Sequence, residues 1–218
     1  MKGLLIKDIR LLMNQKKFFL IVMLCGFMFL FSNDTPEGAM GYITILSSML
    51  VLTSMSYDEF EKGMSFLMTL PITKVTYVWE KYVLGGIIGT VMSIFTTVVA
   101  MVVFQAREIS YPIDMFIYSG ILFWGLSFLF LGIMIPVQLK FGSEKGKFAK
   151  MIAMVVVAFV AFGIVKLLEL VGVDVIGMME SLMNSSIILG FGIICLVCIT
   201  FYVFSGVVSC RILSKKEL

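Results

Sequence analysis

Six stretches of the chain, near residues 18–33, 39–57, 77–104, 115–139, 151–171 and 185–209, are mostly apolar. Each is close to the roughly 20 apolar residues that a helix needs to cross a bilayer. A β-barrel would alternate apolar and polar residues over segments of about 10, and no such alternation exists in Met151–Val165 or Ile187–Val197. The expected fold is therefore an all-α integral membrane protein. It has six transmembrane helices in a single domain over 1–218. Composition agrees: 60% of residues are hydrophobic and 14% charged, against about 25% charged in soluble domains.

The charges divide unevenly between the two sides. Lys2, Lys7, Arg10, Lys16, Lys17, Lys62, Lys74, Lys81, Lys140, Lys145, Lys147, Lys150, Arg211, Lys215 and Lys216 fall in alternate connections, leaving Arg107 and Lys166 for the other side. Lys and Arg stay cytoplasmic, so both termini are expected in the cytoplasm. A signal peptide competes for residues 1–31, but no A-x-A-like cleavage site follows the apolar run. The net charge of +3 gives no reason to expect a nucleic-acid partner.

Much catalytic chemistry is excluded. The chain has no His, which removes a Ser-His dyad and a His-based zinc site. The nearest approach to a phosphate-binding loop, Gly142-Ser-Glu-Lys-Gly146-Lys147-Phe148, has its glycines one residue too close and Phe148 where a hydroxyl must hold Mg²⁺. No catalytic residue, bound cofactor or metal site is expected. Cys25, Cys195, Cys198 and Cys210 lie in or at the edge of apolar helix, where Cys195-x-x-Cys198 reads as two small apolar residues rather than a redox pair.

Two cytoplasmic segments have helical periodicity. In residues 1–17, Leu5, Ile9 and Leu12 form one stripe and Lys7, Arg10, Asn14 and Lys17 another, the pattern of a helix lying in the membrane surface. Its basic face can meet anionic lipid or a partner. In the 58–72 loop, Phe60, Met64 and Leu67 share one face, with Glu59, Glu61, Lys62, Ser65 and Thr69 on the others. Pro71 ends that helix by disfavouring the α conformation at Leu70. Thr73 is then the expected N-cap of a third helix long enough to project into the cytoplasm. An amphipathic helix between two rigid spans suits a docking element for a soluble protein, and the competing reading is a helix resting in the headgroups. Asp58, Glu59, Glu61 and Glu80 weigh against the second, because the cytoplasmic leaflet is anionic.

Within spans, Lys166 and Glu169 lie one turn apart near the outer end of the fifth. They read as a mutual ion pair or a gate. Residues 172–184 are apolar enough to dip back into the outer leaflet. Gly85, Gly89 and Ser93 recur every four residues, the spacing that lets membrane helices approach closely.

The segments Leu4-Leu-Ile-Lys-Asp-Ile-Arg-Leu-Leu, Tyr57-Asp-Glu-Phe-Glu-Lys-Gly with Leu70-Pro71-Ile72-Thr73-Lys74, and Tyr77-Val-Trp-Glu-Lys-Tyr82 resemble those of ABC-2 type transporter permease subunits of bacteria. The chain looks most like the small permeases that export amphipathic peptides such as phenol-soluble modulins. That resemblance implies a multi-pass subunit of the bacterial cytoplasmic membrane, paired with a second permease chain as a homodimer or heterodimer. Two copies of a cytoplasmic ATPase would supply ATP and Mg²⁺ chemistry, with amphipathic or toxin-like peptide as cargo. It also implies that Asp58, Glu59, Phe60, Glu61, Lys62, Met64, Ser65, Leu67, Met68 and Leu70 form a coupling helix docked on the ATPase. Lys7, Arg10, Lys145 and Lys147 would make secondary contacts. A non-transporting sensor or immunity subunit, or an exporter of lipids or small hydrophobic drugs, is the alternative.

Overall fold

The computed structural model describes residues 2–59, 63–69, 72–170 and 187–215, with only the backbone at 2, 65, 68, 143–170, 187–191, 193 and 194. Among these residues every secondary-structure element is a helix. The elements are α1 (Lys2–Asn14), α2 (Lys16–Ser32), α3 (Glu37–Glu59), α4 (Gly63–Thr69), α5 (Lys74–Ala106), α6 (Ile113–Leu170) and α7 (Ile187–Ser214). Glu37–Glu59, Lys74–Ala106, Ile113–Gly142 and Cys195–Ser214 are long and apolar enough to cross a membrane. Helices α1 and α2 meet at a 64° bend and provide a fifth crossing if taken as one broken span. Of the stretch expected as a further span, 151–171, residues 151–170 lie in the part of α6 described by backbone alone, and 171 lies outside the described residues.

Local chemistry sets these boundaries. The Thr73 side chain accepts from the Thr76 amide at 3.2 Å, capping α5. At 33 residues α5 is about 50 Å long, well beyond a hydrocarbon thickness of about 30 Å. The loop expected over 140–150 is instead a one-residue break inside α6: Gly142 has φ 75° and ψ −178°, a conformation essentially confined to glycine. Helix resumes directly after it, so the Gly142–Phe148 segment forms a helix start rather than a phosphate-cradling loop.

Helix α3 is central, packing on α2, α5 and α6. It buries Thr44, Ser47, Ser48 and Ser54 along with Val51 and Met55, the small polar content that lets membrane helices come close. One core cluster gathers Val51, Met55, Tyr77, Tyr82, Leu131, Ile135 and Leu213, and a second gathers Leu30, Met40, Ala100, Phe104 and Phe116 at the other end. At that second end Arg107 donates to the carbonyls of Leu30 (2.6 Å) and Asn33 (2.9 Å), closing the C-terminus of α2 with a cation. Cys25, Cys195, Cys198 and Cys210 are all free.

The four-residue stripe on α5 is a packing seam. A Cβ on Gly85 would lie 2.8 Å from both Leu131 Cδ1 and Tyr202 Oη, and one on Gly89 would lie 2.9 Å from Ser127 Oγ. Ser93 donates to the Gly120 carbonyl at 2.8 Å. Gly86, one residue off the seam, has only Phe128 at 3.8 Å. Gly85→Leu or Gly89→Leu is therefore expected to lower stability in detergent by about 1–3 kcal/mol through overpacking. Gly86→Leu should lie within experimental error of the parent in the same thermal unfolding assay.

Candidate functional site

The helical pitch brings together charges that lie far apart in sequence. In α1, Asp8 sits on the same stripe as Leu4, four residues before it, and both are buried. In α3, Ser54 and Asp58 are likewise one turn apart, and in α5 so are Tyr77 and Lys81. These three turns converge where α1 crosses the end of α3 and the start of α5. Lys81, with no exposure, is the hub. Its ammonium binds the Asp8 carboxylate, lies 2.7 Å from Asp58 Oδ2, donates to Ser54 Oγ at 2.8 Å, and sits 5.1 Å from the Tyr77 ring centre. Tyr77 donates to Asp58 Oδ2 at 3.2 Å. Lys7 binds the other Asp58 oxygen and lies 3.2 Å from Asp8. Glu80, also fully buried, approaches Lys81 at 3.6 Å.

Unlike charges about 4 Å apart attract by about 4 kcal/mol at an effective dielectric of 20. Desolvation costs several kcal/mol per ion, so the cluster adds little net stability and mainly fixes which groups meet. Burial pushes the Asp8 carboxyl up, but the Lys81 ammonium and then Lys7 outweigh it and hold it below its ordinary 3.8. Burial pulls Lys7 down, and Asp58 overcompensates, holding it above 10.5. Asp8 therefore contributes fully above 3.8 and its contribution is lost as pH falls through its lowered value. Lys7 contributes fully below 10.5 and loses its contribution as pH rises through its raised one.

Beside the cluster, Gln138 of α6 donates to Ser56 at 3.1 Å and to Glu59 at 3.2 Å. Tyr82 pairs with Ser205 and Ser209 at 2.8 Å each, and Tyr202 donates to the Tyr82 carbonyl at 2.8 Å. Helix α6 is thus tied to the end of α3, and α7 to the start of α5.

Met64 and Leu67 share one face of α4, as the amphipathic pattern has it, and that face packs into the bundle. Asp58 is turned inward at 6% exposure, and Met64 (6%) and Leu67 (9%) are core residues. Glu59 is engaged by Gln138. The apolar side chain that α4 presents outward is Phe66, 70% exposed, which the sequence reading passed over. Its signal was the helical period itself: once Met64 and Leu67 face inward, Phe66 lies between them on the opposite side. Lys7 serves the ion cluster, whereas Arg10 is exposed. Phe60, Glu61, Lys62 and Leu70 lie outside the described residues, as do 172–184. So do the side chains of Ser65, Met68, Lys145, Lys147, Lys166 and Glu169.

The fold is that of a multi-pass helical membrane protein, with a short helix held between two spans at the end of the bundle where the charges gather. A family model described as ABC-2 family transporter protein matches residues 3–214, and the chain belongs to that family. It is the permease component of an ABC transporter, a non-catalytic membrane part that associates with an ABC ATPase. No curated protein and no solved structure matches the chain significantly.

Removing Lys81 leaves buried carboxylates facing one another. Lys81→Met is expected to cost about 3–5 kcal/mol in detergent unfolding, and adding Asp8→Asn should recover part of that loss. Asp8→Asn alone should flatten the fall in melting temperature below pH 3.8.

Proposed function

We propose that the chain is the permease of an exporter that moves amphipathic or toxin-like peptides out across the bacterial cytoplasmic membrane. Two copies of a separate ATPase drive two paired permease chains. The ATPase docks on α4 and its flanking residues, Glu61 and Lys62 included, with Phe66 as the apolar contact. The observation that carries this reading is the position of α4. The residues on both sides of it, Asp58 and Lys81, share one ion cluster with α1, so a push on α4 reaches α1, α3 and α5 as a unit. ATP binding in the partner would close the two ATPases and tilt these helices, switching the path between inward-closed and outward-open. Both termini are cytoplasmic in this arrangement. The Lys145 and Lys147 region and Arg10 make secondary contacts. Support for peptide cargo comes from the eighteen methionines, a flexible and polarizable surface for varied apolar partners.

Phe66→Ala is expected to weaken ATPase association by about 30-fold, the loss typical of a buried aromatic anchor, with the melting temperature of the permease unchanged. Reversing Glu61 and Lys62 together should reduce transport-coupled ATP turnover in the reconstituted complex. The cargo claim is tested by titrating a cationic amphipathic peptide against that turnover. Stimulation supports peptide export, whereas an inert response with intact ATPase binding would point to a sensor or sequestration role.

A further inference from the structure

A crevice separates the α1–α2 elbow from α5. It encloses about 830 Å³, within the usual 300–1,000 Å³ of small-molecule sites. Phe19, Leu20 and Met23 of α2 face Leu84, Ile88 and Met92 of α5 across it. Leu20, Ile87 and Val91 at its mouth are each more than half exposed, so it opens sideways, toward the hydrocarbon of a surrounding bilayer.

The polar groups of this crevice are gathered at one end. Gln15 and Lys16, its polar lining residues, occupy the break between α1 and α2. Both offer hydrogen-bond donors, and the Gln15 amide nitrogen is buried with no partner among the described residues. No carboxylate lines the crevice, and Lys17 follows directly in sequence. From this donor end the walls run seven residues along α2, Lys16 to Met23, and eight along α5, Leu84 to Met92, or about 10–12 Å at 1.5 Å per residue. Half of a hydrocarbon core is about 15 Å. The crevice thus has an anion-seeking end at headgroup level and an apolar trough about one leaflet deep.

We propose that this crevice holds one anionic phospholipid, its phosphate bound by Gln15 and Lys16 and an acyl chain laid between α2 and α5. The lipid fills the angle of the elbow, which props α1 against the ion cluster at a set inclination. This site depends on the chain's lying in a membrane and stands apart from the transport reading.

The full-length chain, purified in mild detergent, is offered phosphatidylglycerol and phosphatidylcholine with identical acyl chains, and bound lipid is read by native mass spectrometry. One phosphatidylglycerol per chain is expected to remain, with about fivefold preference, the effect of a single basic residue at an anionic surface. Lys16→Glu with Gln15→Leu should erase the preference. Ile88→Trp should expel both lipids by filling the trough, and Met92→Phe serves the same purpose if the larger ring prevents folding. Equal retention of the two lipids would overturn the proposal. It would also fail if trough-filling variants kept their phosphatidylglycerol, or if Leu20→Cys and Val91→Cys crosslinked between copies, placing a second chain in the crevice. Co-purification of the ATPase with the same variants is scored separately, so loss of lipid with retained ATPase sinks neither reading by way of the other.

Discussion

The Lys81 ammonium is the point on which the geometry of this bundle turns. It is fully buried and draws on carboxylates from two other helices. Apolar packing alone does not dictate how membrane helices pair, because lipid tails are as apolar as leucine. A buried charge does dictate it. The alternative to its partners is an uncompensated ion in a low-dielectric interior, so α1, α3 and α5 have one acceptable arrangement. The tyrosine and serine contacts of Tyr82, Tyr202, Ser205 and Ser209 extend the same logic to α7.

The helical architecture was legible because apolar runs long enough to cross a bilayer have few alternatives, and the Thr73 cap and the seam at Gly85 and Gly89 followed from local rules. The ion cluster was not legible, although its parts were in plain sight. Leu4, Asp8 and Leu12 share a stripe, which puts a carboxylate in the middle of an apolar face. A stripe drawn instead through Leu5, Ile9 and Leu12 leaves Asp8 unremarked and makes Lys7 a surface charge. Sequence periodicity reports that a face exists, while choosing the face needs the partner helix. For the same reason the shared face of Met64 and Leu67 is legible in the sequence but not that it packs into the bundle, which leaves Phe66, out of phase with them, as the exposed apolar side chain of α4.

The family match covers nearly the whole chain, and the proposed docking on α4 requires that this helix not yield when pushed. Helix α4 has seven residues, too short to be stable alone. It holds its shape because Met64 and Leu67 are anchored in the bundle. Its rigidity is borrowed from the spans, which is the condition for pushing on it to move them rather than unfold it.

Arg107 has a complementary consequence at the far end. By holding the last carbonyls of α2, it fixes that helix where α5 ends. The other end of α2 continues into the bend at Gln15, where among the described residues no charged side chain holds α2 in this way. A rod pinned at one extremity pivots about it. Displacements of α2 relative to α5 should therefore be smallest beside Arg107 and grow toward the elbow, making the gap between the two helices a wedge whose angle is set from its wide end.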